Sequence, residues 1–223
     1  MQRFPQPIDL GRRVVIHGAT GSGKATLARR VGELLGLPVI QLDAIRHRRG
    51  WDSVGWDEMR AILTQRLDDS PDGWVCEGNY SQLRDIYISR ADSLVWLHLP
   101  WRVSFWRLLW RTINRAWSKE PLYHEDGPRE SWRLTFTSRK SILWWSISNH
   151  RNHVRNTRQR LADFADPSRV FVLHSRLEVR RFHLCSCREA GRLEPDNRLV
   201  LDRYARGSCT ASRQTCVPTS LPR

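Results

Sequence analysis

The chain has 223 residues, 40% of them hydrophobic, and carries 37 lysines and arginines against 23 acids for a formal net charge of +14. That length suits one α/β domain with a proper core and would leave a second full domain cramped. The charge points to anionic partners: nucleotides first, with nucleic acid or an acidic membrane surface as further candidates. Only Lys24, Lys119 and Lys140 are lysines, and so strong an arginine bias weakens an inference of nucleic-acid binding from charge alone.

Residues 1 to 10 are polar and proline-broken, and no uninterrupted apolar run is long enough to span a bilayer. A soluble, cytoplasmic protein without a secretory leader is expected. The cysteines are Cys76, Cys185, Cys187, Cys209 and Cys216, with neither a disulfide framework nor a C-x-x-C zinc spacing, which reads as reduced, incidental thiols.

Val14-Val15-Ile16 predicts a buried first strand, and Leu27, Ala28, Val31, Leu34 and Leu35 follow with helical spacing. Between them lies Gly18-Ala19-Thr20-Gly21-Ser22-Gly23-Lys24-Ala25-Thr26. A glycine-rich turn between a strand and a helix lets backbone N–H groups converge on an anion at the positive end of the helix dipole, and Lys24 can reach the terminal phosphates of a nucleotide such as ATP. That is a P-loop. The pattern normally closes with a Ser or Thr whose hydroxyl meets Mg²⁺, and Ala25 stands there instead. A small shift of Thr26, or a water molecule, are the two ways to fill that coordination position.

Pro38 to Leu42 reads as a second buried strand with Asp43 just past its end. Ligands of doubly wound sheets collect outside the carboxyl ends of the strands, so Asp43 is either an acceptor-binding carboxylate or an ordinary turn or cap residue. Arg46 to Trp51 then forms a basic loop ending in an aromatic side chain, suited to a phosphate, to an acceptor ring or to plain surface. Trp56 to Leu67 has helical periodicity, and Ser70-Pro71-Asp72-Gly73 ends it. Trp74 to Tyr80 reads as a third strand breaking at Gly78, with Glu77 where a carboxylate could orient Mg²⁺-bound water or accept a proton. Ser93 to Pro100 is a fourth strand; His98 near its end is either near the site or a packed core residue.

From Trp101 to Trp117, apolar residues alternate with Arg107, Arg111 and Arg115, which fall every fourth residue and so share one face of a helix. Guanidinium groups in a row repel unless an anion lies across them, and their forked donors suit the oxygens of a transferred phosphoryl group. The alternatives are a solvated basic face over a tryptophan-rich core face, or a helix lying on a membrane surface. Ser118 to Ser131, which contains Arg129, has the irregular composition of a lid that would exclude water. Helix is expected again from Trp132 to Phe164, where His150 and His153 lack metal-ligand partners and read as a polar face. Arg169 to Leu173 predicts a fifth strand, and the character changes after Phe182 to a tail read as poorly ordered or weakly packed.

Taken together, the P-loop, the strand ending at Asp43, Trp51, Glu77-Gly78-Asn79-Tyr80, Trp96 to Pro100 and the arginine helix resemble the adenylate-kinase-like P-loop proteins of the topology modulation protein type. The resemblance spans roughly residues 11 to 182 and implies a three-layer P-loop NTPase fold. Such a fold has a five-stranded parallel sheet and an arginine-rich helical lid, here about 101–131, with residues 183–223 left as a basic, cysteine-containing tail. It implies that Lys24 binds the β- and γ-phosphates of ATP, Asp43 and Trp51 the acceptor, and Arg107, Arg111, Arg115 and Arg129 the phosphoryl group in transfer. Three departures touch metal or proton handling: Ala25, Glu77 where Asp-Gly-Asn-Tyr is more usual, and His98 in place of an aspartate. Two functions follow: an ATP-dependent phosphotransferase on a small nucleoside, nucleotide or hydroxyl acceptor, or a catalytically impaired nucleotide-binding protein in a regulatory or nucleic-acid-associated role. No helix-turn-helix or other DNA-binding motif is present in the sequence.

Overall fold

Five short apolar runs become strands, the three central ones buried almost throughout and the two edge ones partly buried, as a parallel sheet covered on both faces requires. In the computed structural model, which describes residues 8–47, 52–118, 142–162, 164 and 166–189, these are β1 (Arg13–Gly18), β2 (Val39–Gln41), β3 (Trp74–Glu77), β4 (Ser93–Leu97) and β5 (Val170–Leu173). They form one five-stranded sheet in the order β2-β3-β1-β4-β5. All of its pairings are parallel. The described helices are α1 (Lys24–Leu35), α2 (Leu42–Arg46), α3 (Trp56–Asp68), α4 (Arg84–Tyr87), α5 (Trp101–Ser118), α6 (Ile142–Ala162) and α7 (Arg176–Glu189).

The two faces of the sheet carry separate cores, which makes the fold a three-layer α/β sandwich. Val14, Ile16, Val75, Val95 and Leu97 point to one side and pack with Leu27, Ala28 and Val31 of α1 and Phe182 of α7. Val15, Trp74, Cys76, Leu94 and Trp96 point to the other and pack with Met59, Leu63 and Leu67 of α3, Tyr87 of α4 and Leu161 of α6. Cys76 is a buried free thiol in this second core, and its burial pushes the thiol pKa up.

Several expected boundaries move. The second strand stops at Gln41, and Leu42 and Asp43 already belong to α2, so Arg46 is helical rather than part of a loop. Within the helix expected from Trp132 to Phe164, Ile142–Ala162 is helical, and the expected start at Trp132 lies outside the described residues. Helix α7 runs on to Glu189, past the expected change of character at residue 182; Ser175 caps it by accepting from the Glu178 N–H at 3.1 Å. The larger revision concerns α5. Its buried stripe is Ser104, Leu108, Thr112 and Ala116. Trp106, Trp110 and Trp117 are instead 59%, 63% and 80% exposed, so they do not form a core face. The reason is the glycine loop: a Cβ built on Gly21, whose φ is +82°, would lie 2.2 Å from the Ser104 carbonyl oxygen and 2.9 Å from the Leu108 Cβ. An approach that close admits only small or slender side chains, and the indoles have to go elsewhere.

Candidate active site

Register brings the functional elements to one edge of the sheet. Ile16 pairs with Glu77, Gln41 pairs with Glu77 from the other side, and Gly18 pairs with Leu97. The glycine loop, the end of β3 and the start of α2 are therefore adjacent at the carboxyl ends of the central strands. α1 begins at Lys24 with no side chain capping it and no acid in its first turn. Its first N–H groups and the dipole are thus left for an anion. Within the loop the Ser22 N–H donates to the Ala19 carbonyl at 3.0 Å, which closes the turn.

Asn79 fixes the loop from below. Its Nδ2 donates to the Gly18 carbonyl at 2.7 Å, and its Oδ1 accepts from the Gly18 N–H at 3.2 Å. Both polar groups of the first loop glycine are satisfied by one amide. Asn79 can reach because Gly78 turns the chain sharply after β3: its φ is +148°, and a Cβ there would lie 2.7 Å from the Leu42 Cβ. Larger residues are excluded on both counts.

Lys24 and Glu77 face one another across the loop, Nζ to Oε2 at 4.0 Å, with side chains only 12% and 3% exposed. Burial raises the Glu77 pKa and the nearby Asp43 carboxylate raises it further, against the opposing pull of Lys24 and Arg111. Glu77 Oε2 is buried without a hydrogen-bond partner. A carboxylate whose charge is disfavoured by burial and by a second carboxylate nearby, with a buried oxygen that accepts no hydrogen bond, suits a hard cation such as Mg²⁺, which takes one or two carboxylates together with phosphate and water oxygens. Ala25 adds no donor, while Thr26 lines the cleft described below.

Asp43 is held from a second direction. The Tyr80 hydroxyl donates to Asp43 Oδ1 at 2.8 Å. The Tyr87 hydroxyl in turn donates to the Tyr80 carbonyl at 3.3 Å and meets His17 Nε2 at 3.2 Å. Trp56 stands beside Tyr80, ring centroids 6.0 Å apart, and the Arg46 guanidinium lies 3.9 Å over the Trp56 ring. Asp43, Arg46, Trp56 and Tyr80 thus make a polar, aromatic corner next to the loop.

On the other side α5 packs against the glycines. Ser104 and Leu108 are seated on Gly21 of the loop, and Arg107 and Arg111, two of the three arginines in the row, border the cleft beside that contact. Arg107 Nη1 donates to the Ser22 carbonyl at 3.0 Å. Gly21, Gly23, Thr26, Trp106, Arg107, Trp110, Arg111 and Arg176 are among the residues lining a cleft of about 790 Å³. Burial lowers the Arg107 pKa, and the positive charge of Arg176 lowers it further, which marks a strongly cationic wall. Arg115, a turn further along α5, does not line this cleft.

Of the side chains singled out in the sequence, Lys24, Glu77, Asp43, Arg107 and Arg111 share this neighbourhood. His98 does not line the cleft: it stacks on Trp96 with centroids 4.2 Å apart and borders a different cavity. Trp51 and Arg129 lie outside the described residues. Among the described residues no group of three or more His, Cys, Asp or Glu side chains is arranged to hold a metal, and no helix is long and apolar enough to cross a membrane. In the sequence Asn79 and Tyr80 stand within a strand motif that signals no task for them, and Trp56 and Arg176 carry no functional signal. Arg176 had no local signal, since only the pairing of β4 with β5 brings its segment near α5.

No family model and no curated protein matches the chain. Solved structures to which it is similar include a shikimate kinase from Acinetobacter baumannii in complex with shikimate, at 14% identity and a TM-score of 0.49, with 88% of this chain and 95% of that one covered. A gluconokinase from Sinorhizobium meliloti is similar at 16% identity and a TM-score of 0.43, with 90% of this chain and 100% of that one covered. At that distance the likeness assigns no residue a role.

Proposed function

We propose that the chain is an ATP-dependent phosphotransferase acting on a small hydroxyl or phosphate acceptor. The observation that carries this reading is the meeting, at one sheet edge, of an uncapped glycine loop, Lys24 opposite Glu77, and Arg107 lying against the loop from α5. On this reading the loop N–H groups and Lys24 hold the β- and γ-phosphates. Arg107, Arg111 and Arg176 neutralise charge on the group in transfer, by positioning and electrostatics rather than through a covalent intermediate. Asp43, oriented by Tyr80, binds the acceptor, and Glu77 takes its hydroxyl proton or helps hold the metal. Mg²⁺, held by Glu77, would supply neutralisation of phosphate charge. The P-loop, the Glu77-Gly78-Asn79-Tyr80 turn and the arginine helix support placing the chain beside the adenylate-kinase-like, topology modulation proteins. Dependence on ATP supports a cytoplasmic location.

The test is ADP release across a panel of nucleosides, nucleotides and hydroxyl metabolites, with Lys24→Ala as control. Acceptor-dependent ADP release that drops about 100-fold or more in Lys24→Ala is expected, given the size of losses when one transition-state donor is removed. Full ATP binding and turnover by Lys24→Ala would overturn the assignment. A second reading, a nucleotide-binding protein whose transfer has decayed, is favoured by one observation: Ala25 offers no hydroxyl where the loop normally has one. Nucleotide affinity indifferent to Mg²⁺, with no acceptor able to release ADP, would select it.

A further inference from the structure

A second cavity, of about 450 Å³, opens between the end of β4 and helix α6. His98 forms one wall and α6 the other. His98 follows β4, and its backbone N–H donates to the Leu173 carbonyl at 2.9 Å, which ties it to the end of β5. His174, the residue after β5, meets the His98 ring edge-on with centroids 5.2 Å apart. Its Nε2 is buried and has no hydrogen-bond partner. From α6, His150, Arg151, Arg155 and Arg158 close the cavity. Among the described lining residues there is no carboxylate. The nearby Glu178 carboxylate is committed, accepting from the His174 backbone N–H at 2.7 Å.

His98, His150 and three exposed arginines around one space, with no acid among the lining residues, make a locally positive surface that attracts an anionic, acceptor-rich ligand. Burial and the neighbouring His174, Arg158 and His150 push the His98 pKa down to about 4, so the ring is neutral near pH 7 while the space is empty. An anion would reverse that by stabilising the protonated rings and by spanning the arginines. The volume falls in the range of small-molecule sites, roughly 300–1,000 Å³, and is larger than one phosphate ion requires. We propose that the cavity between His98, His150 and the α6 arginines is a second anion site, separate from the glycine-loop cleft, that takes a small phosphate-bearing molecule.

The site can be read independently of the glycine loop because it contains its own imidazoles. In the full chain, inorganic phosphate and then a sugar phosphate would be titrated while the ring resonances of His98, His150 and His174 are followed by NMR, near pH 6.5. Expected are saturable shifts of these resonances and a rise in the His98 pKa. The sugar phosphate should bind more tightly than phosphate alone, and Arg158→Gln should weaken binding about tenfold or more, the scale of a lost charge-assisted bond. Arg155→Gln, also on an exposed position of α6, is a second variant should the first disturb folding. Signals of Gly23 and Lys24 that respond to phosphate while the imidazoles stay unmoved would overturn the proposal, as would unchanged affinity in both variants.

Discussion

At the scale of single residues, the most consequential side chain is Asn79, because it does for the loop what no backbone partner does. With one amide it satisfies both the N–H and the carbonyl of Gly18, at 3.2 and 2.7 Å. Asn79→Leu keeps comparable bulk and leaves those two backbone groups, both partly shielded, without partners. The expected cost is about 1–3 kcal/mol in urea unfolding, the penalty of stranding buried polar groups. Loosening Gly18 also displaces the start of the loop, so nucleotide affinity should fall with stability. An unfolding midpoint equal to the wild type's would show that the clamp is incidental. Lys24 and Glu77 differ in kind from Asn79: their separation of 4.0 Å and near-complete burial describe two groups that face a shared space. A buried pair of that sort contributes little stability by itself, because desolvation offsets its attraction.

At the scale of elements, α5 decides the shape of the site. The sequence shows its arginines plainly, and it shows tryptophans that any reading by hydrophobicity sends to the core. It does not show that the helix lands on a glycine loop. There the contact is with backbone, and slender residues win over large ones: Ser104, Leu108, Thr112 and Ala116 are buried while Trp106, Trp110 and Trp117 stay out. This gives a paired prediction. Gly21→Ala puts a methyl 2.2 Å from the Ser104 carbonyl in a backbone conformation that disfavours side chains, so it should destabilise by about 2–4 kcal/mol, as overpacking and backbone strain together do. Trp117→Gln, at 80% exposure, should stay within about 0.5 kcal/mol of wild type. Thermal melts of the two variants check it; a large loss in Trp117→Gln with a neutral Gly21→Ala would invert the packing described here.

At the scale of the whole molecule, what was legible in the sequence was whatever depends on near neighbours along the chain. Apolar runs became strands, the glycine loop became a turn before a helix, and the arginines at every fourth residue became one helical row. What depended on strand order was hidden: that Arg176 faces Arg107, that Tyr80 reaches Asp43, and that His98 meets His174 rather than the glycine-loop cleft. The His98 pairing also gives the fold a pH dependence whose sign can be worked out. In the unfolded chain its imidazole takes a proton near the ordinary value of 6.5, whereas in the fold it does so only at about 4, because of burial first and then the charges of His174, Arg158 and His150. The unfolded state therefore binds more protons between those limits. This contribution to stability is fully present above pH 6.5 and is lost as pH falls toward 4. Other groups titrate in the same window, so the comparison is of slopes. In phosphate-free buffer the melting temperature of the wild type should fall more steeply from pH 7 to pH 4.5 than that of His98→Gln, which keeps a polar side chain but cannot titrate. Added salt should reduce the difference only in part, since it screens the Arg158 charge but not the burial that is the larger cause. Parallel pH profiles for the two proteins would mean that His98 is freely protonated in the folded chain and that the cationic cavity does not act on it.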